Sequence, residues 1–323
     1  MQLLKSIIVI RTIDGMNLSA VDLNLLVAFE ALYETRNVTL AGLRIHRAQP
    51  SVSSALNRLR RVFNDELFVR TADGMQPTDH AVALMPAISS ALDQIRRALE
   101  QGAGFDPAAA DGRRFTLAAS DYADVVLVPH IVARLRREAP AADLRVARLD
   151  RATIYEQLDN GSVDIAIGGH LTAPKRMRVT PLYEESFVCI ADKQHPGLRG
   201  RKLTLDRYVA LPHALFVPSD DGSARGVIDA SLARRGRKRR VACTFAHIVA
   251  LPHAVVGTDL IATLARRAAL RLAGQALSLR PLPPEVDPGP FGIDMVSSRR
   301  APADAALAWL QGLIQRAVKD LTD

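Results

Sequence analysis

The chain is expected to be an α+β, multidomain protein: an N-terminal winged helix-turn-helix with a long linker helix, then two α/β lobes. Three observations predict this. Short helical patterns open the sequence, a Gly/Ala/Asp/Pro-rich stretch, QGAGFDPAAADG, interrupts it at residues 101–112, and strand-like and helix-like patterns alternate beyond that break. A length of 323 residues accommodates two or three domains of roughly 150 residues, and 48% hydrophobic content suffices for their cores.

The first helix is read over DLNLLVAFEALYETR, where Leu23, Leu25, Leu26, Phe29 and Leu32 make a wide apolar stripe. A very short second helix, LAGLRIH, carries Leu40, Leu43 and Ile45, with Thr39 placed to cap it. A third begins at Pro50, whose fixed φ and missing N–H suit the first helical position. In it Val52, Ala55, Leu56, Leu59 and Phe63 follow the helical period, while Ser51, Ser54, Asn57, Arg58 and Arg61 occupy the other face. Only Arg47, Ala48 and Gln49 separate the last two helices, the layout of a helix-turn-helix. NDELFVRTADGMQPT then reads as a hairpin around Asp73 and Gly74, which makes the module winged.

Charge indicates the partner. The chain carries a formal charge of +8, and from Thr35 to Asn64 it holds six basic residues (Arg36, Arg44, Arg47, Arg58, Arg60, Arg61) and no acid. A duplex attracts such a surface through phosphate neutralisation and counterion release. Gln49, Ser51, Ser53, Ser54 and Asn57 offer donors and acceptors to base edges, and Arg58 and Arg61 reach the backbone or a guanine edge. Thr39, Pro50 and Arg70 complete the candidate DNA-contacting set. The competing reading is a solvated basic face.

From about Thr78 a long helix places Ala81, Met85, Ile88, Leu92, Ile95 and Leu99 at alternating spacings of four and three, a seam for pairing with a second copy. An amphipathic helix packed on its own domain is the alternative, and Pro86 should kink or restart it. The expected divisions are an extension over residues 1–15 with Met16 the better beginning, a DNA-binding domain over 16–77, the linker helix over 78–100, a hinge over 101–112 and an effector domain over 113–323. In the last, lobe I covers about 113–187 and 288–323 and lobe II about 188–287, built from βαβ units with parallel sheets and ligands at strand carboxyl ends. GIDMVSS and the helix DAALAWLQGLIQRAV return to the first sheet.

Cys189 and Cys243 stand far apart without CxxC spacing, so the reading is two buried thiols, with no disulfide framework and no metal site. The apolar run IIVI is too short to span a bilayer, and a cytoplasmic protein is expected. The run RRGRKRR, residues 234–240, reads as a solvated basic surface, with secondary DNA contact the alternative.

With these residues in view, DLNLLVAFEALYETRNVTLAGLRIHRAQPSVSSALNRLRRVFNDELFVRTADGMQPT resembles the DNA-binding end of a LysR-type transcriptional regulator, above all in QPSVS, ALNRLR and LFVR. SDYADVVLVPHI, LDNGSVDIAIG, LPHALFVP and GTDLIATLA resemble the family's effector domain, and DLNLLVAF, NVTLAG and LNRLRRVFNDELFVR look most like the branch controlling nodulation and aromatic-acid catabolism genes. The resemblance implies a linker-helix dimer, a periplasmic-binding-protein-like (type 2) effector domain and a dimer of dimers whose DNA contacts shift when a small inducer binds. The implied partners are double-stranded promoter DNA, a small aromatic or carboxylate inducer, RNA polymerase, and copies of itself as homodimer or homotetramer, with no cofactor and no membrane. Ala48, Gly42 and Ala265 depart from the family pattern, Gly42 as a residue that weakens its helix.

By the same resemblance, Ser120, Asp121 and Tyr122 line the inducer site after the first effector strand, where a hydroxyl can bind a carboxylate; Asp121 alternatively caps the next helix. His170 and His213 are candidate donors to an aromatic acid, Thr263 an opposing wall, and Phe187 a stacking surface or a core residue. Two other functions stay open: a regulator that needs no ligand, and an α/β enzyme. For the enzyme the chain offers no GxSxG, HExxH, GxxxxGK[ST] or strand-following GxGxxG.

Overall fold

The computed structural model describes residues 22–71, 74–100, 104–110, 112–217, 226–299 and 304–321, which form two compact units divided between Glu100 and Gln101. Residues 1–15, Met16, the hairpin residue Asp73 and hinge residues 101–103 and 111 lie outside the described residues.

In the first unit, α1 (Asn24–Thr35), α2 (Val38–Arg44) and α3 (Gln49–Phe63) pack around Leu25, Phe29, Leu32, Val52, Leu56 and Leu59. Thr39 does not cap α2. Asn37 does: on an extended residue its amide oxygen accepts from the N–H groups of both Thr39 (2.8 Å) and Leu40 (3.1 Å), which leaves Thr39 inside the helix. Pro50 is the second residue of α3, and Ala48 stands in the cap position with no side-chain bond to offer.

Gly42 is corrected as well. A Cβ there would lie 2.6 Å from the Arg47 carbonyl oxygen, and the Gly42 carbonyl accepts from Arg47 N–H at 2.9 Å. The residue that weakens α2 by propensity is the one that lets the turn close against it.

The wing consists of β1 (Phe68–Thr71) and β2 (Gly74–Pro77), antiparallel with Phe68 opposite Pro77. Asp65 Oδ1 holds its base by accepting from Leu67 N–H and the Thr78 hydroxyl, both at 2.7 Å. Thr78 Oγ1 then accepts from Ala81 N–H (3.1 Å) and starts α4 (Asp79–Glu100), one unbroken helix through Pro86. The seam on α4 divides. Ala81, Ile88 and Leu92 are buried in the core of their own unit and Met85 is half-buried, which withdraws them from a free surface; Val82, Ile95 and Leu99 are exposed.

The second unit contains two five-stranded sheets. The first has the order β4-β3-β5-β12-β6, from β3 (Arg114–Ala119), β4 (Asp143–Arg148), β5 (Ile165–Gly169), β6 (Met177–Glu185) and β12 (Phe291–Ser298). The second is β11-β7-β10-β8-β9, from β7 (Phe187–Asp192), β8 (Pro212–Phe216), β9 (Arg240–Phe245), β10 (Ile261–Ala265) and β11 (Leu277–Pro281). The sheets are mixed rather than parallel. In each, three strands run parallel (β4, β3, β5; β9, β8, β10) and the next runs against them, β12 in the first and β7 in the second. Both exceptions are strands through which the chain enters a sheet from the other lobe, so their polarity is set by that crossing.

Helices α5 (Asp121–Val126), α6 (Val128–Glu138) and α7 (Ile154–Asp159) belong to the first sheet's connections; α8 (Leu205–Ala210), α9 (Val227–Ala233), α10 (Ala250–Val255) and α11 (Arg266–Leu272) to the second's. The last helix, α12 (Ala305–Val318), packs on α6 with Leu310, Leu313 and Ile314 fully buried. Ion pairs from Arg316 to Glu138 (2.6 Å) and from Arg134 to Asp320 (2.6 Å) flank that contact.

The expected hinge is anchored from Phe105 onward. Its ring lies 5.1 Å from Trp309 and 6.2 Å from Phe115, and Asp106 caps a 3-10 turn at Pro107–Ala109. One aromatic residue in a Gly/Ala-rich run is enough to dock the segment. Cys189 is buried and Cys243 half-buried, both free, and no helix among the described residues is long and apolar enough to cross a membrane.

Leu59→Ala is expected to cost about 2–5 kcal/mol, because the side chain is fully enclosed between three helices and the wing. Native-state hydrogen exchange should record the loss as faster exchange in α1 and α3, with α12 unchanged.

Candidate nucleic-acid interface and ligand cavity

Helix α3 turns Gln49, Pro50, Ser51, Ser54, Asn57, Arg58 and Arg61 to solvent; Ser53 is half-buried, with Gln49 Nε2 3.5 Å from its hydroxyl. Thr39 is exposed on α2 and Arg70 on β1. The acid-free window is less one-sided in space than in sequence. Arg44 pairs with Glu34 (2.6 Å), Arg58 with Asp22 (3.3 Å) and Arg60 with Glu66 (3.0 Å), all three acids lying outside the window.

Arg60 is a structural residue. It donates to the carbonyls of Glu66 (2.9 Å) and Phe68 (2.7 Å), which fastens the wing to α3. Arg36 likewise gives Nε to the Tyr33 carbonyl (2.7 Å). Among the described residues Arg47 and Arg70 have no ion pair, and Arg61 reaches only the Asn57 carbonyl at 3.4 Å. Exposed pairs such as Arg58–Asp22 are worth about 0–1 kcal/mol, so a phosphate competes for the guanidinium at little cost.

In the second unit a cavity of about 540 Å³ lies between the two sheets. Strand polarity selects its lining. Ser120 follows β3, Leu149 follows β4, His170 follows β5, Ala246 follows β9, and Leu264 and Ala265 end β10: all carboxyl ends of parallel strands. Phe187 and Phe291 open the two reversed strands β7 and β12, so their first residues meet the others' last.

One wall is an aromatic stack. The Phe291 ring lies 4.9 Å from His170 at 16° and 4.7 Å from Phe187 at 25°. His170 has φ 54°, and Arg151 fixes this turn by donating to the carbonyls of Gly169 (2.8 Å) and His170 (3.0 Å). Burial, with Arg151 beside it, lowers the His170 pKa, so the ring stacks as a neutral imidazole. Phe291 is absent from the sequence reading, whose strand GIDMVSS begins one residue too late to include it.

Another part of the lining is polar. Arg239 Nε and Nη2 are paired with the two carboxylate oxygens of Asp229 at 2.8 and 2.7 Å, and Nη1 donates to the Tyr208 hydroxyl at 3.2 Å. Burial opposes the charge on Arg239, but Asp229 and Tyr208 together more than offset it and the pKa rises. Tyr208, pushed up to about 12 chiefly by burial, keeps its proton and shares a 2.7 Å hydrogen bond with Thr263 Oγ1. The Tyr208 oxygen also accepts from Arg239, so Thr263, which lines the cavity, is held at its hydroxyl by a buried polar partner. Ser120 Oγ accepts from Ala123 N–H (3.3 Å) and has no acceptor for its own proton among the described residues.

Several expectations are corrected here. His213 does not line the cavity. It stands near the start of β8, the end of a parallel strand away from the cavity, fully buried with Nε2 2.7 Å from the Tyr208 carbonyl and Nδ1 3.5 Å from Arg239. Arg239, read as part of a solvated run, has a side chain 1% exposed and lines the cavity. Asp121 is not a helix cap, since Ser120 is; its carboxylate accepts from Ile248 N–H (2.6 Å) and faces His247 Nδ1 (3.2 Å) on the other lobe. Tyr122 borders the cavity but its hydroxyl is donated to the buried Glu185, whose other oxygen accepts from Ser186 N–H (2.7 Å) where the chain crosses between lobes.

A helix-turn-helix with a wing, joined to a two-lobed unit enclosing a ligand-sized cavity, defines a ligand-responsive DNA-binding regulator. The family model "Bacterial regulatory helix-turn-helix protein, lysR family" matches residues 23–82, and "LysR substrate binding domain" matches residues 108–319. The chain belongs to the LysR family of transcriptional regulators. It is 33% identical over 302 residues to the transcriptional activator NahR of Pseudomonas putida, covering 93% of this chain and 98% of that protein. With the transcriptional regulator SyrM of Rhizobium etli it shares 34% over 310 residues, 95% of this chain and 89% of that one. The crystal structure of a Pseudomonas aeruginosa protein described as a probable transcriptional regulator, PA0477, superposes with a TM-score of 0.76 at 34% identity, over 94% of this chain and 98% of that chain.

His213 sets a pH dependence. Burial, then Arg239, lowers its pKa to about 4, below the about 6.5 of an unfolded histidine, so the unfolded chain binds the proton more readily. The stability it contributes is present above pH 6.5 and is lost as pH falls toward 4, by roughly 2–3 kcal/mol at most. Urea titrations between pH 7 and 4 should show this fall, and His213→Gln should flatten that part of the profile.

Proposed function

We propose that the protein reads promoter DNA through the exposed face of α3, with Gln49, Ser51, Ser53, Ser54 and Asn57 on base edges, Arg58, Arg61 and Arg70 on phosphates, and Thr39 and Pro50 against the backbone. Its cavity takes a small aromatic acid as effector. The observation that carries this is the pair of hydroxyls from opposite lobes, Ser120 and Thr263, that line one cavity, Ser120 with no acceptor for its proton among the described residues. A carboxylate accepting from both ties the lobes together, while the His170–Phe291–Phe187 stack receives the ring.

The exposed Val82, Ile95 and Leu99 of α4 are the residues left for a second copy, and a dimer or dimer of dimers follows from pairing through them. Effector shifts the regulator only by binding one lobe arrangement better than the other. We read the cavity as a sensor and not as a catalytic centre, in a protein acting on DNA in the cytoplasm. That some relatives carry names of activators supports this reading.

Two outcomes test it. Replacing Asn57 and Arg58 together with Ala should abolish retardation of a promoter fragment, and Arg61→Ala should lower the salt slope of binding by about one; unchanged binding in both sinks the α3 assignment. In a thermal-shift screen, aromatic carboxylates should raise the melting temperature, and Thr263→Val and Ser120→Ala should each weaken the best of them about tenfold. A hit whose affinity ignores both substitutions removes the hydroxyl pair from the site.

A further inference from the structure

The charges around the cavity are not balanced in the way a simple anion site requires. Of its guanidiniums, Arg239 is matched by both oxygens of Asp229 and Arg151 is occupied by two carbonyls. Arg148 too has an interaction of its own. Two carboxylates also line the cavity, Asp121 and Asp124, three residues apart on α5 and therefore on one face of it. Asp121 is committed, with one oxygen on Ile248 N–H and the other on His247. Asp124, exposed where it lines the cavity, is not: among the described residues its carboxylate has no hydrogen bond and no ion pair. The unmatched group facing the cavity is thus negative.

We infer that the effector carries an amino group as well as its carboxylate, and that Asp124 is the residue that selects for it. The ligand class is an aromatic ring bearing an acid and a protonated amine: an amino-alkyl-substituted aromatic acid or an aromatic amino acid. This rests on reading the cavity as an aromatic-acid site and adds a second pole to that ligand. The acid end takes the Ser120 and Thr263 hydroxyls, and the ammonium, itself a donor without acceptors, takes Asp124 in a charge-assisted hydrogen bond. Partial desolvation, then the neighbouring Asp121, push the Asp124 carboxyl up to about 6.

Calorimetry on the full-length protein with a matched pair, 4-(aminomethyl)benzoate and 4-ethylbenzoate, separates the poles, since an ammonium there replaces a methyl of nearly the same size. The wild type should bind the ammonium compound at least about tenfold tighter, and Asp124→Asn should bring the two to near parity. If 4-ethylbenzoate binds as well or better, or if the preference persists in Asp124→Asn, the amino-group inference is overturned while the aromatic-acid reading stands. If neither compound binds the wild type, both fall. The wild-type comparison decides the matter even without the variant.

Discussion

Strand direction is the constraint on which the effector unit depends. Each sheet is built from three parallel strands, so three loops per lobe open at the same edge, and the two edges face each other across the cavity. The reversed strands complete the arrangement. Because β7 and β12 enter their sheets from the opposite lobe, their first residues, Phe187 and Phe291, arrive at the edge where the other strands end, and the two rings stack there. The chain crossings and the aromatic wall are therefore one feature. Lobe movement cannot leave that wall undisturbed, since each ring belongs to a different sheet.

The second organising element is a buried chain of polar groups behind the cavity. Asp229 fixes Arg239, Arg239 donates to the Tyr208 oxygen, and Tyr208 shares a hydrogen bond with Thr263. His213 closes the far side as a neutral ring, with Nε2–H given to the Tyr208 carbonyl and Nδ1 left as acceptor toward Arg239. None of these groups except Thr263 and Arg239 reaches the cavity, yet together they hold those two side chains in place.

Much of this was legible in the sequence. The helix-turn-helix followed from the apolar period of Val52, Leu56 and Leu59 and from a turn too short for anything else, and the two-lobed unit from alternating elements. What stayed hidden depended on residues distant in sequence. Arg239 sits among neighbours that are solvated, and nothing in RRGRKRR distinguishes the one whose partner, Asp229, lies ten residues back on α9. His213 was misplaced because it opens a parallel strand, and the cavity lies at the other, carboxyl end of that strand. The acid-free window concealed its acids for a related reason: Asp22, Glu34 and Glu66 flank it in sequence and fold back onto it.

Gly42 bears on how such a protein can change its target. With the Arg47 carbonyl oxygen 2.6 Å from where a side chain would begin, the spacing between α2 and α3 is set by main chain against main chain. Any side chain at position 42 forces the turn to move, and α3 with it. New DNA preferences are reached with least disturbance on the outward face of α3, one side chain at a time, while Gly42 keeps the mount in place.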